Sequence, residues 1–455
     1  MTDSTTLKPL RDQPGHLLDL LDLVLNEAKR LGADAAEADI GVGDGLSATV
    51  RMGEVETLEH QRDKGLGVVV YQGQRKGSAS SSDLSPAALT ETVQAALAIA
   101  AHTKPDPCAG LADPALLAST IPDLDLYHPW PISPQDAIAR ALACEQIARD
   151  TDARIVNADG TTLATASGAH VYGNSHGFHG YWQYSRHSLD CTVIAKDASG
   201  MQRDGWQSQA RVADELDSLE NIGKTAARRT VDRLGARRLN TRSAPVIFEA
   251  PVAGSLFGHL VNALSGGNLY RRSSFLLDQV GEQIFPDWLR VHEQPHLRRG
   301  LRSAPFDDEG VATRARDLVT AGVLQGYVLG SYSARKLGLQ TTGNAGGVHN
   351  LCIEPGSANA EQYNLPGLLK LMDTGLLVTD LMGFGVNIMT GDYSRGVSGY
   401  WVENGEIAYP VEEITIAGNL ADLFKGIVAT GQDIDPRRST RTGSVLIDKL
   451  MVAGE

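Results

Sequence analysis

Residues 384–420 read FGVNIMTGDYSRGVSGYWVENGEIAYPVEEITIAGNL, and this stretch decides how the C-terminal part of the chain folds. Asn404-Gly405 separates two runs in which apolar and polar residues alternate, as they do in half-buried strands. The dipeptide favours a type I′ turn, because both of its residues tolerate a positive φ. The preceding TGDYSRG, residues 390–396, predicts a polar loop bounded by glycines, where another backbone can approach. We therefore expect a hairpin over residues 399–407 beside a loop that borders a cleft or an interface.

The composition indicates a large globular protein without a nucleic-acid or membrane partner. At about 150 residues per domain, the 455 residues suggest two or three domains. The formal net charge of -14 argues against binding nucleic acid or anionic membranes, because both require a basic face. The N-terminus MTDSTTLKPLRDQPG lacks a basic start followed by an apolar core, and no apolar run reaches the ~18 residues of a membrane helix. We therefore expect a cytoplasmic protein.

The cysteines and glycines indicate a strand-rich protein without disulfides. Cys108, Cys144, Cys191 and Cys352 form no C-x-x-C pair, so neither a disulfide framework nor a cysteine-built zinc site is expected. The chain contains 48 glycines, which is a larger share of its residues than the average of about 7% in proteins. Aromatic residues make up only 5% of the chain. This balance predicts many tight turns that join strands.

The first 105 residues, 1–105, are predicted to form an α+β domain. A helix with leucines at helical spacing is indicated by GHLLDLLDLVLNEAKRLGADAAEADIG; it ends at Gly32, and a strand follows near Ala38. Paired strands are indicated by GLSATVRMGEVETLEHQ and GLGVVVYQGQRKGSASSS. Ser85 and Pro86 then begin a second helix, because a serine N-cap followed by proline is a strong start signal.

Two further segments complete the predicted α+β fold, in which an N-terminal α/β region of mixed strands and flanking helices precedes a glycine-rich, β-rich C-terminal domain. Residues 106–240 form the middle segment, in which a linker rich in Pro and Asp over 103–132 leads to the capped helix SPQDAIARALACEQIARD. Several hairpins and a basic-tailed helix over 214–237 follow. Polar residues in RRLNTRSAP then separate this helix from the apolar strand PVIFEA, which begins the C-terminal domain, residues 241–455.

A short zinc-peptidase pattern occurs in LRVHEQPHLRR, residues 289–299, where His292, Glu293 and His296 match H-E-x-x-H. The motif binds zinc only on a helix, where positions i and i+4 share one face. Pro295 lies between the two histidines, and its ring disfavours a helix and favours an extended residue before it. We therefore interpret this stretch as a loop or the end of a strand.

The pentapeptide GNSHG, residues 173–177, matches the G-x-S-x-G elbow of serine hydrolases. That motif places its serine, here Ser175, on a sharp turn between a strand and a helix. Residues 178–184 alternate as in a strand instead of a helix. A hairpin turn is therefore the preferred interpretation.

Two other groups of side chains suggest a metal site but have simpler interpretations. His176, His179 and His187 are close in sequence, but residues three apart in a strand face opposite sides of the sheet, which favours exposed polar positions. PFDDEG, residues 305–310, presents three adjacent carboxylates that suit a hard cation. Because no further spaced carboxylates complete such a loop, we interpret it as a solvated turn.

Longer patterns carry a resemblance to a known family. One is PFDDEGVATRARDLVTAGVLQGYVLGSYSARKLGLQTTGNAGGVHN, residues 305–350, and the other is MGFGVNIMTGDYSRGVSGYWVENGEIAYPVEEITIAGNL, residues 382–420. In this order they resemble the PmbA/TldE branch of the TldD/PmbA peptidase family, and weaker similarity extends across nearly the whole chain. The resemblance implies a role in proteolysis of unfolded peptides, which in the family includes microcin maturation and antitoxin turnover.

The chain departs from this family at the metal motif. In the family, the TldD subunit carries H-E-x-x-x-H on a helix after a strand like PVIFEA, and a cysteine near its C-terminus is a further ligand. Here Gly258 takes the place of the first histidine, His259 that of the glutamate and Ala263 that of the second histidine, and no cysteine follows Cys352. Apolar periodicity still predicts a helix over 251–264. Glycine and alanine offer a metal no lone pair, so no metal is expected in this chain.

The resemblance therefore implies that this chain is the metal-free partner in a heterodimeric metallopeptidase and has no catalytic residue of its own. A TldD-like subunit supplies the zinc and the general base, and this chain helps to enclose a channel for unfolded peptides. A strand edge can hold an extended peptide by main-chain hydrogen bonds. Arg395 is suited to bind a carboxylate bidentately. The candidate peptide or partner contacts are Asp392, Tyr393, Ser394, Arg395 and Glu403.

Two alternatives remain open at this point. The first is a self-sufficient hydrolase that uses Ser175 or a metal cluster built from His176, His179, His187 or His292. The second is a homodimeric scaffold with a binding role only, because metal-free members can pair with themselves before they meet a TldD-like partner.

Overall fold

A computed structural model describes residues 14–454. The helices of this part of the chain are α1 (Pro14–Arg30), α2 (Pro86–His102), α3 (Pro134–Thr151), α4 (Leu219–Asp232), α5 (Ala250–Leu264), α6 (Gly266–Tyr270), α7 (Ser331–Leu337), α8 (Leu365–Met372) and α9 (Leu420–Lys425). Its strands are β1 (Ala35–Arg51), β2 (Glu54–Gln72), β3 (Arg75–Ser81), β4 (Ile155–Asn174), β5 (His179–Asp197), β6 (Gly200–Ala210), β7 (Arg242–Phe248), β8 (Val291–Glu293), β9 (Arg316–Thr320), β10 (Val323–Leu324), β11 (Leu351–Ile353), β12 (Gly356–Ser357), β13 (Gly375–Val386), β14 (Asp392–Glu403), β15 (Glu406–Asn419), β16 (Ile427–Thr430), β17 (Thr440–Arg441) and β18 (Val445–Ala453). The prediction that no targeting signal is present concerns residues 1–13, which lie outside the described residues.

The N-terminal half is built on one antiparallel sheet with the strand order β3-β2-β1-β4-β5-β6. Its strands are long, and tight turns join them; between β1 and β2 the chain turns at Met52 and Gly53, both with positive φ. β1 pairs with β2 on one side and with β4 on the other. Residues from the first and the second predicted segment therefore share one sheet.

Two pairs of helices cover separate parts of this sheet. Helices α1 and α2 enclose one core with the strands, which includes Leu21 of α1 and Val68 of β2. Helices α3 and α4 enclose a second core, which includes Cys144 and Cys191 as buried thiols. Residues 54–64 of β2 are exposed without interruption. Because successive residues of a strand point to opposite faces, this stretch is uncovered on both faces of the sheet.

The C-terminal part contains a seven-stranded sheet in the order β12-β16-β18-β15-β14-β13-β7. An additional pairing between β18 and β7 closes five of these strands into a ring. A second sheet has short strands in the order β10-β9-β8-β11-β17. Phe257 of α5, Val397 of β14 and Leu351 of β11 belong to one large core, so α5 and both sheets pack together.

Most predictions about local structure are confirmed. Gly32 has a φ of 94° just after α1, and Asn404 and Gly405 have φ of 55° and 75° in the hairpin between β14 and β15. Helix α2 begins after Ser85, although the serine side chain makes no capping hydrogen bond. The α+β class with a β-rich C-terminal domain is confirmed. The boundaries of the three predicted domains stay predictions. No helix within residues 14–454 has the length and apolar character needed to cross a membrane.

Two predictions about local structure are wrong. Residues 390–396 are mostly strand, because β14 begins at Asp392 and pairs there with both β13 and β15. The helix expected over 214–237 is shorter, since α4 begins only after Ser218, whose hydroxyl accepts the N–H of Asn221 at 3.1 Å. Strand pairing over long sequence distances sets the start of β14, and a capping hydrogen bond sets the start of α4. The secondary-structure preferences of the residues alone predict neither boundary.

Candidate functional site

Helix α5 carries the positions that correspond to the family's metal motif. Pro251 lies in its first turn, where the missing N–H would have no partner within the helix. Ala250 donates its N–H to Ser444 Oγ at 3.0 Å. Directly before the helix, Glu249 pairs with Arg229 Nη1 at 2.9 Å. These contacts fix α5 at the end of β7.

Gly258 and Ala263 lie in different environments on α5. A Cβ atom built at Gly258 meets no atom within 4 Å, and the glycine is exposed. Ala263 is fully buried in the large C-terminal core. The position of the first family histidine therefore borders open space, and that of the second is packed.

His259 turns its imidazole toward Tyr393 of β14. The ring centroids are 5.9 Å apart and the ring planes are inclined by 73°, which is an edge-to-face contact. His259 Nε2 and Tyr393 Oη are both buried and have no hydrogen-bond partner among residues 14–454. Burial, and secondly the positive charge of Arg395, lower the pKa of His259. The imidazole is therefore neutral at neutral pH.

These residues do not fit a zinc ion. Zinc sites in proteins use three or four N, S or O donors from the chain, but Gly258 and Ala263 have none and His259 directs its ring at Tyr393. Arg395 adds a positive charge that disfavours a cation nearby. Within the described residues, no group of three His, Cys, Asp or Glu side chains is placed to hold a metal ion.

Three of the predicted contact residues lie at the start of β14. Tyr393 is 2% exposed, so its ring packs inside the chain. Asp392 and Ser394 are exposed on the other face, and Asp392 Oδ2 accepts a hydrogen bond from Thr390 Oγ1 at 2.6 Å. Asp392 and Ser394 are therefore available to a peptide or a partner subunit.

The other two predicted contact residues already have partners within the chain. Arg395 donates from Nε to the carbonyl oxygen of Met382 at 3.1 Å, across the pair of strands β13 and β14. Glu403 Oε1 accepts from Trp401 Nε1 at 3.1 Å near the hairpin turn. Peptide or partner contact by these residues stays a prediction.

The H-E-x-x-H match lies at the end of a strand, as Pro295 predicted. β8 ends at Glu293, and His296 follows outside any helix, where its Nε2 lies 3.0 Å from Thr313 Oγ1. His292 and His296 therefore do not share the face of a helix, and the match is no metal motif.

Glu293 has a structural role instead. It is 1% exposed, and its Oε1 accepts from the N–H of His349 at 2.6 Å and from Asn344 Nδ2 at 2.7 Å. Its Oε2 accepts from Arg316 Nε at 3.1 Å. Burial raises the pKa of Glu293, but the hydrogen bond from His349 and the charge of Arg316 outweigh it and hold the pKa below its usual range. Glu293 thereby joins three loop and strand segments.

The PFDDEG turn is not solvated throughout, so that prediction is wrong for Asp307. This side chain is 2% exposed, and its Oδ1 accepts from the N–H groups of Glu309 at 3.0 Å and Val311 at 2.9 Å. Its Oδ2 accepts from the N–H of Ala345 at 2.9 Å. Burial raises the pKa of Asp307 to about 7 against these hydrogen bonds. The carboxyl group is buried because backbone N–H groups of two loops need an acceptor.

Ser175 lies in a turn between two strands, β4 and β5, as predicted. Its Oγ accepts from the N–H of Ala36 at 3.0 Å, so the hydroxyl extends the pairing of β4 with β1. His179 Nε2 lies 2.9 Å from Asp22 Oδ1, and these three side chains border one depression of about 460 Å³. Among the described residues, no histidine nitrogen forms a hydrogen bond with Ser175 Oγ, so the hydroxyl lacks the base that a nucleophile needs.

We expect no specific labelling of Ser175 by a fluorophosphonate probe, because its hydroxyl is engaged with Ala36 and lacks a base. The Ser175→Ala variant should label to the same background extent as the native chain, measured by in-gel fluorescence. Ser199→Ala, at an exposed serine in the next hairpin turn, is the matched control. Labelling that disappears only in Ser175→Ala would instead support a serine hydrolase.

The interpretation of His176, His179 and His187 as exposed polar positions is wrong for His187, whereas His176 and His179 are exposed. His187 is fully buried on β5, and its two ring nitrogens lie 2.8 Å from Thr165 Oγ1 and 2.9 Å from the carbonyl oxygen of His128. His292 Nδ1 lies 2.8 Å from Gln294 Nε2. Both side chains are accounted for without a metal.

The internal role of Tyr393 is not evident when residues 390–396 are interpreted as a loop, because a polar aromatic residue in a loop suits an external contact. Strand alternation would have placed Tyr393, Arg395 and Val397 on one face, and Val397 is a core residue. The sequence signal for the strand is therefore the alternation of inward and outward residues, which begins before Gly396.

Three models that all describe parts of one kind of metallopeptidase match the chain: PmbA/TldA metallopeptidase domain 1 at residues 36–100, the central domain at 127–234 and the C-terminal domain at 241–454. Since these matches cover well over half of the chain, it belongs to the PmbA/TldA metallopeptidase family. Metalloprotease PmbA of Escherichia coli O157:H7 is 52% identical over 93% of each chain. A metalloprotease PmbA homolog of Haemophilus influenzae is 47% identical over 99% of each chain.

Solved structures share the fold over nearly the whole length. A putative modulator of DNA gyrase from Bacteroides thetaiotaomicron superposes with a TM-score of 0.91 at 27% identity, covering 97% of this chain and 100% of that one. TldE from Thermococcus kodakarensis superposes with a TM-score of 0.83 at 21% identity, covering 96% and 100%. At that identity the second comparison supports the fold alone.

Proposed function

We propose that this chain is the metal-free subunit of a cytoplasmic, heterodimeric peptidase that degrades or processes unfolded peptides. A TldD-like partner subunit provides the zinc and the general base, and this chain helps to enclose the space in which peptides are cleaved. Membership of the metallopeptidase family supports the peptidase role.

The observation that carries the proposal is the arrangement on α5. Gly258 and Ala263 bring no donor atom, and His259 packs its ring against Tyr393 beside the charge of Arg395. Several relatives are named metalloproteases, and those names describe the relatives. In this chain, the side chains at the corresponding positions favour a supporting subunit.

The exposed side of α5 fits a surface that faces a partner or a peptide. Open space lies over Gly258 of α5, whereas the exposed Asp392 and Ser394 lie on the face of β14 opposite Tyr393. A glycine here lets another backbone approach closely. We assign peptide or partner contact to the open side of α5 at Gly258 and, as a separate surface, to Asp392 and Ser394.

Metal analysis and a cleavage assay test the proposal together. The purified chain alone should hold no stoichiometric zinc by mass spectrometry and should not cleave casein, because it lacks the ligands. Added TldD-like subunit should produce cleavage that a chelator abolishes, above the level that this subunit reaches alone. Stoichiometric zinc and chelator-sensitive cleavage by this chain alone would contradict the proposal.

A further inference from the structure

Three polar side chains, those of His259, Tyr393 and Arg395, lie together where α5 packs against β14. The rings of His259 and Tyr393 are in edge-to-face contact, with centroids 5.9 Å apart. Arg395 follows Tyr393 by two positions on β14, so its side chain leaves the strand on the same face. His259 Nε2 and Tyr393 Oη are both buried and have no hydrogen-bond partner among residues 14–454. Buried polar atoms without a partner cost free energy, so each needs an explanation.

The guanidinium group of Arg395 also keeps donors that the chain does not use. Its Nε donates to the carbonyl oxygen of Met382 at 3.1 Å. Within the described residues, Nη1 and Nη2 have no such acceptor, and no carboxylate forms an ion pair with this arginine. Arg395 is partly buried. A cation that is partly removed from water favours a counter-ion.

The two aromatic side chains leave this charge unbalanced. Burial raises the pKa of Tyr393, and the positive charge of Arg395 opposes that rise only in part. Burial lowers the pKa of His259, and the same charge lowers it further. At neutral pH, Tyr393 therefore keeps its proton and His259 is neutral. Both remain hydrogen-bond donors, and neither brings a negative charge to Arg395.

Solvent reaches this group from the open side of α5. Gly258 precedes His259 and is exposed, and a Cβ atom built on it meets no atom within 4 Å. His259 and Arg395 are each partly exposed, whereas Tyr393 is 2% exposed. Because Nε2 and Oη lie below the surface, a ligand meets them after a side-chain rotation. Rotations of this kind are common when a ligand binds.

A carboxylate matches these donors better than other ligands do. Its two oxygens accept from Nη1 and Nη2 of an arginine in a charge-assisted pair. The same oxygens have further lone pairs for the O–H of Tyr393 and an N–H of His259. A metal cation would be repelled by Arg395, and an apolar group would leave all three donors unsatisfied.

From these donors, the unbalanced charge and the open approach, we infer that His259, Tyr393 and Arg395 form a binding site for the carboxylate of a peptide. The carboxylate is either the free C-terminus of the peptide or an Asp or Glu side chain within it. That the ligand is a peptide rests on the proposed function, whereas the site itself lies in this chain alone. The helix that corresponds to the family's metal-binding helix thus holds a negatively charged group of the peptide.

Fluorescence anisotropy with the isolated chain tests the site without a partner subunit. The probes are unstructured Gly-Ser-Ala peptides with an N-terminal fluorophore: a free C-terminal acid, its C-terminal amide, and an amide that contains one Asp. A peptide with a carboxylate should bind at least about tenfold more tightly than the plain amide, because its hydrogen bonds are charge-assisted. Tighter binding of the free acid assigns the C-terminus as the ligand, and tighter binding of the Asp peptide assigns the side chain.

Variants separate a binding role of Arg395 from a structural one. Arg395→Gln should weaken binding of the carboxylate peptide at least about tenfold and leave the plain amide unchanged. Tyr393→Phe removes only the hydroxyl and should weaken the same binding about fivefold. Arg314→Gln, with the same charge change at an exposed arginine, is the matched control and should change neither affinity. Circular dichroism and melting temperature establish that each variant is folded.

Three results would overturn the carboxylate site. They are equal affinity of the native chain for all probes, a carboxylate preference that survives in Arg395→Gln, and an equal loss of affinity for acid and amide in that variant. The outcome is distinguishable from that of the proposed function. A carboxylate preference without chelator-sensitive cleavage by the two subunits together would retain the site and contradict the peptidase role. Such cleavage without a carboxylate preference would do the reverse.

Discussion

Replacing Glu293 by alanine is expected to lower the free energy of unfolding by about 3–5 kcal/mol, because it leaves a buried cation without its partner. The Arg316 side chain is 13% exposed and pairs with Glu293 at 3.1 Å. The same carboxylate accepts from the N–H of His349 and from the Asn344 amide. Without it, these buried donors lose an acceptor that water cannot replace in the packed interior.

Urea unfolding followed by tryptophan fluorescence measures this loss. Trp288 and Trp401 pack in the same C-terminal core and report on its unfolding. Glu282→Ala is the matched control, because Glu282 is exposed in the same part of the chain, and its effect should stay within about 0.5 kcal/mol. A loss in Glu293→Ala that is no larger than in Glu282→Ala would show that the buried network does not stabilise the fold.

The same carboxylate predicts a pH dependence. The pKa of Glu293 is lowered in the folded chain, so its ionised form is favoured by folding. That contribution is complete above the unfolded pKa of about 4.3 and is lost as the pH falls through the folded value. The stability difference between the native chain and Glu293→Gln should therefore be constant from neutral pH to about 5 and should shrink below about 4. A difference that grows in acid would have the wrong sign.

The hairpin between β14 and β15 was predictable because its signal is local. Asn404 and Gly405 adopt positive φ, and the residues on both sides alternate. The same reasoning placed His292 and His296 outside a helix, since Pro295 lies between them. Residues that form turns or interrupt helices act on neighbours within a few positions, so these features can be predicted from the local sequence alone.

The start of β14 was not predictable in this way, because its pairing is not local. Asp392 pairs with Asn419, and Tyr393 pairs with Val386 and Gly418. Glycine-bounded polar sequence favours a loop when judged alone, and neighbouring strands on both sides override that preference. The partners of Glu293 are hidden for the same reason, since they lie in separate segments of the chain.

The sequence predicts which side chains occupy the candidate site, but it does not predict how they pack. The absence of donor side chains at Gly258 and Ala263 follows from the sequence once the family pattern is laid over it. Only the folded structure shows that the His259 ring lies against Tyr393 and that Gly258 borders open space. Side-chain chemistry at a position is local, whereas the direction in which the side chain points depends on the packing of α5 against β14.

Gly399→Ala is expected to lower the free energy of unfolding by at least about 3 kcal/mol, at or above the upper end of ordinary overpacking costs. A Cβ atom at Gly399 would overlap the carbonyl oxygen of Leu377 and lie 3.1 Å from Val378 Cα. Both belong to the backbone of β13. The pairing registers of β14 with β13 and with β15 both shift beside Gly399. Such bulges bend strands, which a closed ring of strands requires.

Gly396→Ala is the matched control, because it adds the same methyl group three residues earlier on the same strand. A Cβ atom there lies 3.5 Å from Met382 Cβ, an ordinary contact, and neither glycine has a positive φ. We expect its effect in urea unfolding to stay within about 0.5 kcal/mol. Equal effects of the two variants would mean that β13 can move away from Gly399. Because β13 also pairs with β7 over residues 376–378, such movement would have to open the ring of strands on that side as well.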